Sequence, residues 1–545
     1  MLPALLVALA VMVFANSLGH DFVWDDVPAI RDNPFLLSPG AWWRCFERDF
    51  GLELVRAPVG YYRPVVFLTF ILNHALGGLR PLVYHLTNIL LHGWNTLLVF
   101  WLIARLFDRR TAALAAALFA VHPIHAESVA FIAGRSDLLC ACFLLLSVLA
   151  LARSFDEQTQ VRLLWSIASP LAYVLALLCK EMAVALPGVL IAYGLLHRYR
   201  LRTLLRLAGP TSALAVAYLV FRFHFFPMAG IHRVGASSAA TIAERVLRLL
   251  FLYSAQQVFP VVPTLGAEIL SRRPWVDVTS VVLLIALIAV ARPRRRAVES
   301  LAWTALFLAP VLWVNLFTRV SLNDRFAYVP SIGICALAAV AAVRFWDRRR
   351  LSRMVVVLVM GAFVALSFVY SRMWRSDIAL WSSSIAYHPR CGRCYYNLGN
   401  LCRDAGRRTE AVWMLRAATR YLPDDERRSW AYANLARILA EADENNLALE
   451  TARRSLELRP RQIIFRRWFG WFLSDLGRHD EAVAVLEKAH EFAPNDGDVC
   501  LELAREYLAV QPPQPDRARS LYESARELGA EADEALEAAL QNDER

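Results

Sequence analysis

Charge is scarce in this chain. Asp, Glu, Lys and Arg make up 20% of its 545 residues, 57% are hydrophobic, and the mean hydropathy is +0.39. That is too little polar surface for a soluble protein of this length. The phosphate-cradling loops of nucleotide enzymes are missing as well: there is no GxxxxGK[ST], and no GxGxxG before a soluble helix. A soluble nucleotide sugar is therefore not an expected donor. A zinc set is incomplete, because Cys391-x-x-Cys394 has Cys402 close behind but no second CxxC or paired histidines. The pair either forms a disulfide or stays as two thiols. Cys140, Cys142, Cys179 and Cys335 lie in apolar runs and read as small core residues. Residues 1–19 lack a basic start and a clear small-residue cleavage site, so they read as a retained first span.

What is present is unevenly spread. Residues 1–372 hold nearly all the long apolar runs; residues 373–545 are rich in Ala, Leu, Glu and Arg. A membrane domain over 1–372 and a soluble helical domain over 373–545 follow. With about 20 apolar residues per crossing, about eleven spans fit. The stretches 61–78 and 245–263 read as re-entrant or interfacial, because proline, Asn73, His74, Gln256 and Gln257 interrupt them. The net charge of +11 sits largely in Arg clusters between apolar runs: around Arg105, Arg198, Arg292 and Arg348. That is the positive-inside pattern of cytoplasmic loops, and it argues against nucleic acid as partner. With the first span running outward, every major Arg cluster falls inside and the carboxyl tail falls outside.

The same topology collects polar residues at the outer ends of the spans. They include Asp25, Asp26, Arg63, His122, His125, Glu127, Arg135, Asp137, Lys180, Glu181, Arg319, Asp324 and Arg325. Ionisable groups near membrane depth are costly and mark functional cavities. A carboxylate at the membrane edge, Asp25 or Asp26, can take a proton from an acceptor hydroxyl. The alternative for that pair is an interfacial helix cap. A leaving phosphate needs positive charge, and Arg63, Arg325, Arg135 and Lys180 are candidates; the paired donors of a guanidinium favour the arginines. Each of them could instead anchor a lipid headgroup. His122 and His125 precede Glu127, but Pro123 breaks the helix and the spacing is not HExxH, so they read as donors to phosphate or sugar rather than metal ligands. No metal or other cofactor is expected.

The tail repeats with a period of about 34 residues, the tetratricopeptide spacing. Leu398, Gly399, Ala411, Leu415, Ala418 and Pro423 recur as Leu435, Ala436, Ala448, Ala452 and Pro460, then as Phe469, Gly470, Ala482, Leu486, Ala489 and Pro494. A fourth unit holds Leu503, Ala504, Ala518, Tyr522 and Ala525, with an insertion at Pro512 and Pro513. The stretch ALWSSSIAYHPR before them reads as a capping half-repeat. Such solenoids hold extended peptide or another protein, or serve as a stalk.

Together, FVWDD, YRPV, YHLTNILLH, HPIHAESVAFIAGRSDLL, KEMAVALP, FPMAG and DRFAYVPSIG, followed by these repeats, resemble the transmembrane and tetratricopeptide-containing O-mannosyltransferases that act on cadherins, and their bacterial relatives. The resemblance covers nearly the whole chain. It implies an all-α, C-type glycosyltransferase architecture and a sugar carried on a polyprenyl or dolichyl phosphate, with mannose the expected sugar. The implied acceptor is a protein Ser or Thr hydroxyl on the outer side of a bacterial inner membrane or in an endoplasmic reticulum lumen. It also implies that Asp25 acts as base with Asp26 assisting. The repeat array is shorter than in the animal enzymes, and Ala126 stands where threonine often follows HPIH. Two other readings are a non-enzymatic envelope scaffold and a glycosyltransferase acting on a glycan or lipid.

Overall fold

The computed structural model describes residues 1–38, 40–49, 61–156, 161–226, 239–260, 263, 274–317, 323–346 and 350–542. Among them every regular element is a helix. Two compact units result, Met1–Pro389 and Arg390–Arg545. An all-α apolar bundle followed by a repeat solenoid is what the sequence implied. The division differs from the expected one: residues 373–389 fold with the first unit. Trp381 there is buried, and Asp377 accepts the Trp24 backbone N–H at 2.8 Å. Within the first unit the Trp381 ring meets Trp24 edge-on.

Each of the eleven segments expected to cross the membrane carries helix, but most are short. Among the described residues five helices are long and apolar enough to cross a bilayer: Leu2–Gly19, Pro81–Leu106, Ile132–Ser154, Leu201–Phe225 and Arg350–Arg375. A sixth crossing arises if Arg109–Val121 and Pro123–Ala130, bent by 50°, count as one. The breaks explain the shortness. His122, Lys180 and Asn323 all have extended backbone between helical turns. Non-helical backbone at membrane depth survives only where protein covers it or a polar cavity receives it. Each break coincides with a residue or motif of the expected outer cluster. Arg319 and most of the FPMAG motif lie outside the described residues.

The two charge classes occupy opposite ends of the helices. At one end Arg296 pairs with Asp108 at 2.7 Å, Arg105 donates to the Ala152 carbonyl at 3.2 Å, and Arg344 to that of Val290 at 3.3 Å. The expected outer residues gather at the other end, ~39 Å away along a helix the length of Pro81–Leu106. Small residues allow close packing between them. A Cβ added at Gly333 would lie 2.2 Å from the Ser300 carbonyl oxygen, so the helix Ser331–Trp346 can approach Arg294–Phe317 only with glycine there.

The second unit has four helical hairpins and a closing helix, Glu534–Asn542. The pairs are Gly392–Asp404 with Arg408–Tyr421, Asp425–Glu441 with Asn445–Leu458, Ile463–Asp475 with His479–Phe492, and Gly497–Ala509 with Pro515–Glu527. Gly399 and Gly470 face Leu415 and Leu486 so closely that an added Cβ would sit 2.8 and 2.7 Å away. Successive hairpins are tied by Asn434 donating to Asn400 at 2.8 Å and by Arg467 paired with Glu502 at 2.7 Å. The Cys391 and Cys394 sulfurs are bonded, while Cys402 and Cys500 are free and buried.

Candidate functional site

The acidic turn follows directly from the first helix. Trp24 has φ +54°, a left-handed conformation that is an outlier for a bulky side chain and marks an imposed constraint. Its surroundings supply the constraint. The indole stacks on Phe131 with centroids 5.7 Å apart and meets the edge of Trp381, also at 5.7 Å. The next two residues have different fates. Asp26 is buried and accepts backbone N–H groups from Ala133 at 2.7 Å, Val23 at 3.2 Å and Ile132 at 3.4 Å. It thus fastens the turn to the segment between two helices. Asp25 remains half-buried. The pair thus divides into a half-buried Asp25 and a buried Asp26 that braces the turn.

Burial pushes the Asp26 carboxyl up to about 8; the Ala133 and Val23 amides oppose the rise and neighbouring Asp25 adds to it. The folded chain therefore holds this proton more tightly than the unfolded one. Stabilisation from the bound proton is complete below the unfolded value near 4 and is lost as pH rises through about 8. Melting temperature in detergent should fall over that window and level off above it. In Asp26→Asn the fall should shrink; an unchanged slope would assign it to another group.

Cationic groups complete the patch. Arg325 pairs with Glu127 at 3.5 Å, and its own backbone N–H donates to the same carboxylate at 3.1 Å. The guanidinium lies over Trp24 at 5.8 Å, over Phe131 at 5.6 Å and over Phe326 at 5.6 Å. Phe326 also faces Lys180, whose ammonium binds buried Asp137 at 2.5 Å. Beside Lys180, Glu181 binds Arg63 at 3.1 Å and lies 3.7 Å from Arg222. Arg325, Lys180 and Arg63 thus belong to one contiguous patch at one end of the bundle, and Trp24, next to Asp25 in the chain, lies under Arg325.

Three expected site residues go elsewhere. Arg135 is fully buried and its guanidinium is occupied: it donates to Asn88 Oδ1 at 2.8 Å, to Asn73 Oδ1 at 2.5 Å, to the Thr69 hydroxyl at 3.2 Å and to the Tyr84 carbonyl at 2.8 Å. His122 accepts the Ile124 N–H through Nδ1 and reaches the Gln257 carbonyl through Nε2 at 2.8 Å. His125 bonds the Phe119 carbonyl at 2.9 Å and the Ser331 hydroxyl at 2.8 Å. These side chains join helices to one another, and their nitrogens are engaged in doing so. Among the described residues no three His, Cys, Asp or Glu side chains converge as a metal set.

Sequence reasoning missed Trp24 and Arg222. Arg222 carried a usable signal: it is an arginine in the last turn of an apolar helix, at the outer end. Nothing in WDD announces that the tryptophan is the platform under Arg325.

These features define a multi-pass membrane protein with a mixed-charge site at one end of its bundle and a helical-repeat domain. Residues 61–225 match the family described as dolichyl-phosphate-mannose-protein mannosyltransferase, and 468–496 match the tetratricopeptide repeat. The first match contains Arg63, Lys180, Glu181 and Arg222; Asp25 and Arg325 flank it. The chain is homologous to the protein O-mannosyl-transferases. It is 28% identical over 475 residues to protein O-mannosyl-transferase TMTC4 of Homo sapiens, covering 74% of this chain and 64% of that protein. To TMTC1 of Homo sapiens it is 29% identical over 485 residues, covering 77% and 55%. This chain thus spans 64% or less of the length of these relatives. Among solved structures it is similar to MamA, at 20% identity and TM-score 0.25 over 28% of this chain and 85% of that one.

Proposed function

We propose that this protein moves mannose from a polyprenyl-phosphate donor to Ser or Thr hydroxyls of proteins on the outer side of the membrane. The observation that carries the reading is the patch of Arg325, Lys180 and Arg63, with Trp24, the neighbour of Asp25, under the Arg325 guanidinium. Asp25 takes the acceptor hydroxyl proton as the oxygen attacks the anomeric carbon. The new carbon–oxygen bond forms opposite the bond that breaks, so configuration inverts. Polyprenyl phosphate leaves with the bonding electrons, and the guanidiniums stabilise its charge. Arg325, held over aromatic faces next to the Asp25 turn, is placed for that role. The family match at 61–225 and the names of the homologues agree with the chemistry.

The orientation rests on two supports. The Arg clusters at the far end from the site fit the positive-inside rule, which supports the reading that the site and the tail lie outside a bacterial inner membrane. The bonded Cys391–Cys394 pair fits an oxidising compartment for the repeat unit. The repeats would then meet the acceptor protein on the side where the reaction occurs. A scaffold would have no use for Arg325, Lys180 and Arg63 held together at membrane depth.

Mass spectrometry of outer-side proteins from cells with and without this protein tests the reading. Hexose on Ser or Thr should disappear with it; an unchanged glycoproteome would refute transfer to protein. Removing residues 390–545 should reduce glycosylation of proteins more than turnover of the lipid donor. Equal protein glycosylation without the repeats would reduce them to a stalk.

A further inference from the structure

Glu181 stands between two arginines from different parts of the membrane unit. Arg63 directly precedes the helix Pro64–Gly77, and Arg222 lies in the last turn of Leu201–Phe225. Arg63 hydrogen-bonds Glu181 Oε2 at 3.1 Å. Arg222 lies 3.7 Å from Oε1, close enough for an ion pair and too far for a hydrogen bond. Three buried atoms are left without hydrogen-bond partners: Glu181 Oε1 and the Nε atoms of Arg63 and Arg222. One carboxylate is thus spread across two guanidiniums and fully satisfies neither.

The arginines are held by contacts that do not involve Glu181. Tyr62 stacks on Phe226 at 4.4 Å and meets Phe221 at 5.4 Å, which clamps the two arginine-bearing segments together. Arg222 also donates to the Phe226 carbonyl, and its side chain is 4% exposed. Glu181 is the loose member, with 32% of its side chain exposed. It follows Lys180, which is anchored on Asp137, so Glu181 can turn outward without carrying its neighbour.

A pair of fixed guanidiniums with unused donors is a seat for an anion richer in oxygens than a carboxylate. A phosphate monoester brings three strong acceptor oxygens and binds arginine through paired hydrogen bonds. We propose that Arg63 and Arg222 seat the phosphate of a lipid phosphate, and that Glu181 fills this seat when it is empty and swings out when the phosphate enters. The inference rests on the lipid-phosphate donor reading and adds to it Arg222 as a binding residue and Glu181 as a built-in competitor. Competition by Glu181 weakens binding of the spent polyprenyl phosphate and so favours its release.

The test uses the full chain purified in detergent, with melting temperature and affinity measured against a short-chain polyprenyl phosphate, the matching polyprenol and inorganic phosphate. For the wild type, only the polyprenyl phosphate should stabilise. Glu181→Gln should bind it about tenfold tighter, Arg222→Gln at least about tenfold weaker, and Arg222→Lys should recover part of the loss. If Glu181→Gln does not purify as a monodisperse species, Glu181→Asp, which keeps the charge on a shorter arm, should still bind severalfold tighter. Unchanged or weaker binding in the Glu181 variant overturns the proposal. Equal stabilisation by polyprenol shows that the headgroup is not read, and equal stabilisation by inorganic phosphate makes the seat one for the free ion; either result also overturns it. If lipid phosphate binds as expected but no mannose reaches protein, the seat stands and the transfer reading falls. If transfer is found while the Glu181 variants bind like wild type, the transfer reading stands and this inference falls.

Discussion

Asp25→Asn should cut sugar transfer by about 10²–10⁴-fold, the usual contribution of a positioned general base. The amide matches the carboxylate in size but cannot take the hydroxyl proton. The turn itself should persist, because its fastenings belong to neighbours: Asp26 on the Ala133 and Val23 amides, and Trp24 on Phe131 and Asp377. The variant should therefore purify with a near wild-type melting temperature. Initial rates with a mannosyl polyprenyl phosphate and a Ser/Thr peptide measure the loss. Asp26→Asn should cost much less, since its amide oxygen can still accept from Ala133. Wild-type rates in Asp25→Asn would remove Asp25 from the chemistry.

Arg135→Leu should damage the fold rather than the reaction. The substitution strips donors from Asn88, Asn73 and the Tyr84 carbonyl at once, in a fully buried site. Removing one partner from a buried charged network costs about 3–5 kcal/mol. Arg135→Lys should recover little, because one ammonium cannot reach acceptors spread around a planar fork. The expected result is a polydisperse or absent peak in size-exclusion chromatography and a much lower melting temperature. A monodisperse Arg135→Leu with normal melting and no transfer would instead return Arg135 to the substrate-binding role that its position in the sequence implies.

These two residues mark the boundary of what sequence conveys. The position of a charged residue along an apolar helix is legible, as for Arg105 in the last turn of Pro81–Leu106 and Arg222 in the last turn of Leu201–Phe225. Whether such a residue faces the patch or the packing depends on acceptors supplied from far away. Arg135 is consumed by Asn73 and Asn88, His122 by Gln257, and His125 by Ser331. Arg63 and Arg325 meet carboxylates at the patch instead. No local pattern separates the two outcomes. The solenoid was legible for the opposite reason: its close contacts are local, so Gly399 against Leu415 and Gly470 against Leu486 recur at a fixed spacing. The stretch 379–390 carries a Trp and a Pro at repeat-like places, while its Trp381 meets Trp24 near the amino terminus.

That last contact bears on biogenesis. The backbone of Trp24 waits for Asp377, a separation of 353 residues, and Asn16 bonds Ser371 across 355. The ribosome delivers the acidic turn early, with Phe131 and Ala133 soon after it. The Asp377 and Ser371 contacts can form only after the last apolar segment has been made. A chain ending before that point would carry the acidic turn without its last fastenings.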